Sequence, residues 1–249
     1  MMSNNILRSK LKYFFFLFFG FFLSFSLPPY NHIFLGFIIF PFILYLLKLN
    51  EQENPRIFFV YGLLFSFGYF ISSLYWISYS LNFDPEVAIL KPFAILILPL
   101  ALSTFYGLGF YILKRFFKFN FFFVLNFSIL MALTEYIRSF LTGFSWNLFV
   151  YALSKQLASI QILNIIGTFS LNLFAIFIFS FPYYLIKTNK ISFIKRLTLF
   201  IFLIGINYLY GLDRLQTSLE IKNQQIVFVQ PNANLQKKNL ITSNNLKNK

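Results

Sequence analysis

Long apolar runs alternate with short polar gaps along this chain, and the runs set the elements to expect. They cover roughly Tyr13–Leu27, Ile33–Leu47, Ile57–Leu81, Val87–Leu113, Phe116–Ile137, Ile160–Ile186 and Phe193–Leu212. About 20 apolar residues in a helix cross about 30 Å of hydrocarbon. In lipid, a spanning segment must satisfy its own backbone polar groups, so the runs are expected to be helices. The pattern therefore predicts an all-α polytopic membrane protein with about seven transmembrane helices. The first two runs are short, and the "LPPYNH" between them carries two prolines and an asparagine that force a turn. They are expected to form a helical hairpin whose interfacial residues lengthen each span.

On the third run Gly62, Ser66, Gly68, Ser72 and Ser73 recur at roughly helical spacing. Small residues let a neighbouring helix approach closely, so packing is their expected use. The first run follows Arg8, Lys10 and Lys12, as a secretory signal does, yet no A-x-A cleavage site follows it. It reads as an uncleaved signal anchor.

Charge orients the helices. With the N-terminus in the cytoplasm, the inside segments hold Arg8, Lys10, Lys12, Lys48, Arg56, Lys114, Arg115, Lys118, Lys187, Lys190, Lys195 and Arg196. The outside loops hold only Lys91, Arg138 and Lys155. That imbalance obeys the positive-inside rule and is expected to place the N-terminus in the cytoplasm. Residues 1–212 then form the transmembrane domain, and 213–249 a periplasmic tail.

Composition supports the same class. Charged residues make up 11% and hydrophobic ones 58%, against about 25% charged in a soluble domain. The 40 phenylalanines are expected to be lipid-facing filler. The net charge of +14 sits in short gaps, with no basic stripe interleaved with aromatics, so nucleic acid is not an expected partner. With no cysteine, these residues supply no disulfide, thiolate ligand or cysteine nucleophile. One histidine, His32, makes no metal cluster and reads as a polar turn residue at the membrane surface.

Against this background "EYIRSFLTGFSWNLFVYA" is unusual, because it sets Glu135, Arg138, Trp146 and Asn147 close together. Glu135 and Arg138 are three apart at the end of the fifth run, so a helix places them on one face. An ion pair anchoring the helix end lowers the cost of both charges in hydrocarbon. Thr142–Gly143 then breaks the helix. "FSWNLFVYA" is too polar for a span and too apolar for a free loop, which suits a partly buried re-entrant or interfacial element. Trp146 fits that depth, with its ring among acyl chains and its N–H at the headgroups.

The stretch "EYIRSFLTGFSWNLFVYALSKQLASIQILNIIGTFSLNLF" resembles the signature region of bacterial apolipoprotein N-acyltransferases. The likeness rests on Glu135, Arg138, Thr142, Gly143, Phe144, Trp146, Asn147, Gln161 and Gly167. "SLPPYNHIFLGFIIFPFILYLL" is similar to that family's opening hairpin. "GYFISSLYWISYSL" resembles its tyrosine-tryptophan-isoleucine helix through Gly68, Tyr75, Trp76 and Ile77. "IVFVQPNANLQKKN" looks like the first strand of the family's nitrilase-like domain.

The resemblance implies a helical membrane domain followed by a periplasmic nitrilase-like α/β domain. It also implies a two-step reaction: a cysteine thiolate takes an acyl chain from a phospholipid, and the thioester then acylates the α-amino group of an apolipoprotein's lipidated N-terminal cysteine. A glutamate base and an oxyanion-stabilising lysine complete that site. No cofactor is implied. The family's Glu, Lys and Cys lie farther downstream than Lys249, so this chain is expected to hold the membrane domain and only the truncated start of the nitrilase-like one. No catalytic residue is therefore expected within it. The resemblance implies a phospholipid acyl donor and an apolipoprotein as partners, and a separately encoded nitrilase-like domain is a third candidate. Glu135, Arg138, Trp146, Asn147, Tyr75 and Trp76 are the candidate lipid-contacting or structural residues. The alternative is a non-enzymatic polytopic membrane protein such as a small transporter, although no polar or broken-helix sites in matching halves favour it.

Overall fold

The structure, a computed structural model, describes residues 2–82, 88–186 and 190–216, the side chains of residues 2–10 excepted. Among the described residues there are nine α-helices and no strand. They are α1 (Met2–Leu23), α2 (Phe34–Leu49), α3 (Pro55–Leu74), α4 (Ile77–Ser80), α5 (Lys91–Phe116), α6 (Phe123–Thr142), α7 (Leu157–Ile160), α8 (Leu163–Ser180) and α9 (Lys190–Gln216). The expected all-α polytopic architecture is present. Five elements are long and apolar enough to cross a membrane: Pro55–Leu74, Ala88–Phe116, Phe123–Thr142, Leu163–Leu185 and Lys190–Gln216. The two opening helices have shorter apolar stretches, Leu11–Ser26 and Phe34–Leu49. The residues expected to open the nitrilase-like domain, including the strand near Ile226–Gln230, lie outside the described residues.

Six helices close a ring in the order α1, α3, α5, α6, α8, α2, with each packed on the next and α2 returning to α1. Helix α3 starts cleanly because the Asn54 side chain accepts from Ile57 N at 3.1 Å and Pro55 opens the first turn. Its small residues do what their spacing suggests. A Cβ on Gly68 would lie 2.1 Å from the Leu17 carbonyl oxygen of α1, and one on Gly62 would lie 2.5 Å from the Tyr106 carbonyl of α5. Gly20 on α1 is as tightly opposed to Phe65. Helix α3 is thus clamped between two backbones.

Three features depart from the expected runs. The third run does not continue to Leu81: α3 stops at Leu74, and α4 begins only at Ile77. Ser72 and Ser73 donate back to the Gly68 and Tyr69 carbonyls at 3.0 and 2.6 Å, the local bonding by which serine competes with helix geometry. The sixth run is bent at Gly167, whose φ of 73° is left-handed. Finally, phenylalanine is not only filler. Phe16, Phe40, Phe58, Phe65, Phe70, Phe110, Phe127 and Phe149 are buried in the core, while Phe14, Phe93, Phe121 and Phe140 remain on the outside. Inside and outside of a bilayer bundle are equally apolar, so composition does not separate them.

Phe149 belongs to a short 3-10 turn, Phe149–Leu153, that enters the ring from one end. Its ring centroid lies 5.0 Å from those of Phe40 and Tyr69 and 6.4 Å from that of Tyr106. Residues from α2, α3 and α5 therefore converge on one phenyl group. Helix α9 stands outside the ring, touching α7 and the 3-10 turn at Phe181–Leu185.

Candidate functional site

The site grows from the end of α6. Gly143 adopts φ 64°, the left-handed conformation that commonly follows a helix C-terminus and favours glycine. Thr142 Oγ1 donates to the Arg138 carbonyl at 2.7 Å and accepts from Phe144 N at 3.2 Å, so the hydroxyl closes the turn. The chain then folds back over the helix end. Arg138, fully buried, holds it there: Nη1 donates to the Phe144 carbonyl at 2.7 Å and Nη2 to the Trp146 carbonyl at 3.0 Å. Its guanidinium lies 5.5 Å from the Phe70 ring centroid of α3, a favourable setting for a desolvated cation.

Glu135 is also fully buried, one helical turn away. The two share a face, as their spacing requires, but no ion pair joins them; this corrects the expectation drawn from the sequence. The carboxylate instead accepts from the Tyr106 hydroxyl of α5 and from Asn172 Nδ2 of α8, the latter at 3.3 Å. Asn172 Oδ1 in turn accepts from Val150 N at 2.9 Å. The Glu135 carboxyl and the Arg138 guanidinium are each held by oriented dipoles in a dry interior. One network thus ties α5, α6 and α8 to the re-entrant segment.

A second set of bonds ties that segment to α3. Asn147 has φ 60°, a left-handed value that asparagine tolerates better than most side chains. Its carbonyl accepts from the Tyr69 hydroxyl at 2.8 Å, and its Nδ2 donates to Ser73 Oγ at 2.9 Å. Tyr151, whose hydroxyl donates to the Ser145 carbonyl at 3.0 Å, is partly buried, and that burial raises its phenol above the ordinary value. It remains a neutral donor. The segment is partly buried, as expected: Phe149, Val150 and Ala152 are buried, whereas Trp146 is 56% exposed.

Above this floor lies a two-lobed cleft. A lobe of ≈ 550 Å³ is lined by Leu27, Pro28, Gly143, Ser145, Tyr151 and Ser154. A lobe of ≈ 320 Å³ is lined by Ser72, Ser73, Tyr30, Tyr75 and Trp76. Leu27, Pro28, Trp146 and Asn147 line both lobes. The indoles of Trp76 and Trp146 approach to 5.7 Å across it. Four of the six candidate residues, Tyr75, Trp76, Trp146 and Asn147, thus meet at the cleft, and Glu135 and Arg138 lie beneath it as supports. Tyr69, Tyr106, Ser73 and Asn172 were missed as participants. A polar group inside an apolar run was the available signal for each. No group of three or more His, Cys, Asp or Glu able to hold a metal occurs among the described residues.

Fold and site together define a polytopic helical membrane protein with an aromatic-rimmed cleft at one end of the bundle. A family model, the apolipoprotein N-acyltransferase N-terminal domain, matches residues 19–181, and the chain belongs to that family. A Rhodopseudomonas palustris apolipoprotein N-acyltransferase is 33% identical over 168 residues, covering 66% of this chain and 31% of the relative. One from Rickettsia prowazekii is 34% identical over 182 residues, 72% of this chain and 36% of its own. A third, from Brucella melitensis, is 31% identical over 172 residues, 66% and 32% of the two chains. The chain thus spans about a third of the length of these curated relatives.

Proposed function

We propose that these residues form the membrane part of a phospholipid-dependent apolipoprotein N-acyltransferase, and that the tryptophan-rimmed cleft receives lipid chains for acyl transfer. The convergence of Tyr75, Trp76, Trp146 and Asn147 on one cleft carries this reading. These are two adjacent pairs from distant parts of the sequence, and they meet above a floor held by Arg138. The cleft offers apolar walls to acyl chains, and serine, asparagine and indole donors to the ester region of a phospholipid. The sequence contains no cysteine, so a nitrilase-like domain, joined to this chain or supplied separately, brings the thiolate, the glutamate base and the oxyanion-stabilising lysine. In this reading the basic end of the bundle faces the cytoplasm, the cleft faces the periplasm of the inner membrane, and the tail after α9 leads towards the catalytic domain.

The test is expression in bacteria depleted of their own enzyme, with mass spectrometry of a lipoprotein's N-terminus. Triacylated product is expected only when a Glu–Lys–Cys nitrilase-like domain is co-expressed, and Trp146→Ala is expected to lower its yield. Triacylation by the 249 residues alone would refute this division of labour.

A further inference from the structure

At the end of the bundle away from the tryptophans, a separate cavity of ≈ 700 Å³ opens between the C-terminus of α2, the turn before α6, and the start of α9. Lys48, Arg196, Tyr45, Tyr183, Gln52 and Asn120 line it. Arg196 is held for use. Its Nη1 donates to the Tyr184 carbonyl at 2.6 Å, and its guanidinium sits 5.7 and 5.9 Å from the rings of Phe121 and Tyr184. Those two rings stack on each other at 5.3 Å. A guanidinium has five N–H donors, and this single bond leaves the rest for a ligand.

Lys48 supplies the second cation from the opposite wall. Glu51, the carboxylate that lines the cavity, is already paired with Lys48 at 2.5 Å, and Lys114 rests its ammonium on the Glu51 carbonyl. Two cations, Lys48 and Arg196, therefore line the cavity against one carboxylate, and it keeps a positive balance. A planar guanidinium suits the paired oxygens of a phosphate, an ammonium adds a point charge, and neutral amides and phenols supply further donors. Basic pockets between transmembrane helices are where anionic headgroups settle.

We propose that this cavity binds a phosphate-ester anion, with Arg196 and Lys48 as its two charged contacts. The ester can come from an anionic phospholipid headgroup or from a soluble phosphate ester. Because the cavity lies at the other end of the bundle from the tryptophan cleft, failure here would leave the acyl-transfer reading untouched.

The full chain, purified in a mild detergent, is titrated with phosphatidylglycerol, with phosphatidylcholine and with sn-glycerol 3-phosphate, and occupancy is read by native mass spectrometry. Phosphatidylglycerol is expected to bind in preference to phosphatidylcholine. Arg196→Gln and Lys48→Gln are each expected to weaken it by about tenfold, and Arg196→Lys to recover part of the loss. Competition by sn-glycerol 3-phosphate would assign the site to the ester itself. Arg196-dependent binding without such competition would assign it to the lipid. Helix content is followed by circular dichroism. Should Arg196→Gln not fold, Lys48→Gln decides, since its partner contact is only partly buried. Unchanged phosphatidylglycerol affinity in a folded variant, or equal affinity for phosphatidylcholine, would overturn the proposal.

Discussion

A single side chain, Arg138, joins the buried core to the cleft. It spends two donors on the carbonyls of Phe144 and Trp146, and no water reaches it to take its place. Arg138→Ala leaves both buried carbonyls without these donors, a loss of about 1–3 kcal/mol for each. The expected result is less folded protein in the membrane and greater quenching of Trp146 by a water-soluble quencher. Asn172→Leu attacks the same floor from the other side, by removing the acceptor for Val150 N and a donor to Glu135. Each buried group left unmet costs about 1–3 kcal/mol, so this variant is expected to lose thermal stability in detergent as well. Unchanged melting and quenching in both variants would show that the network is dispensable. The spacing of Glu135 and Arg138 revealed that they share a face, but not whom they would bond. Tyr106 and Asn172 lie 29 and 37 residues from Glu135, and only the closed ring brings them within reach.

Among the elements, α3 bears the tightest constraint. Gly68 leaves no room for a methyl group against the α1 backbone, whereas the space around Gly205 on α9 is open within 4 Å. Gly68→Ala is expected to push α1 away from α3 and cost about 1–3 kcal/mol. Gly205→Ala is expected to be neutral or to stabilise by up to about 1 kcal/mol, because alanine is the better helix former. Thermal unfolding of the two variants side by side checks the contrast, and equal effects would contradict the clamp. The small-residue pattern of α3 was legible because helical spacing turns it directly into a face. The stop after Leu74 was not, because a helix accepts Tyr75 and Trp76, and both keep right-handed helical dihedrals. The serines before them bond back to α3 carbonyls, a local competition that hydropathy does not register.

Across the whole molecule, connectivity and charge divide the bundle into two dissimilar ends. Lys12, Lys48 and Lys114 gather around the loop that joins α2 to α3, pairing with Glu53, Glu51 and a backbone carbonyl. The tryptophans and the re-entrant segment occupy the other end. A reporter inserted after Gln52 is expected to be active in the cytoplasm, and one fused after Gln216 in the periplasm. The same compartment for both would overturn the orientation. The ring that carries these ends has one more consequence. In the inner membrane proposed for it, the bundle would sit in a bilayer that stores energy as voltage and proton gradient, and any continuous wet path between the faces would dissipate both. Phe149, wedged among Phe40, Tyr69 and Tyr106, fills space between α2, α3 and α5. A plug of that kind would let the bundle open a hollow towards one face without leaking charge to the other.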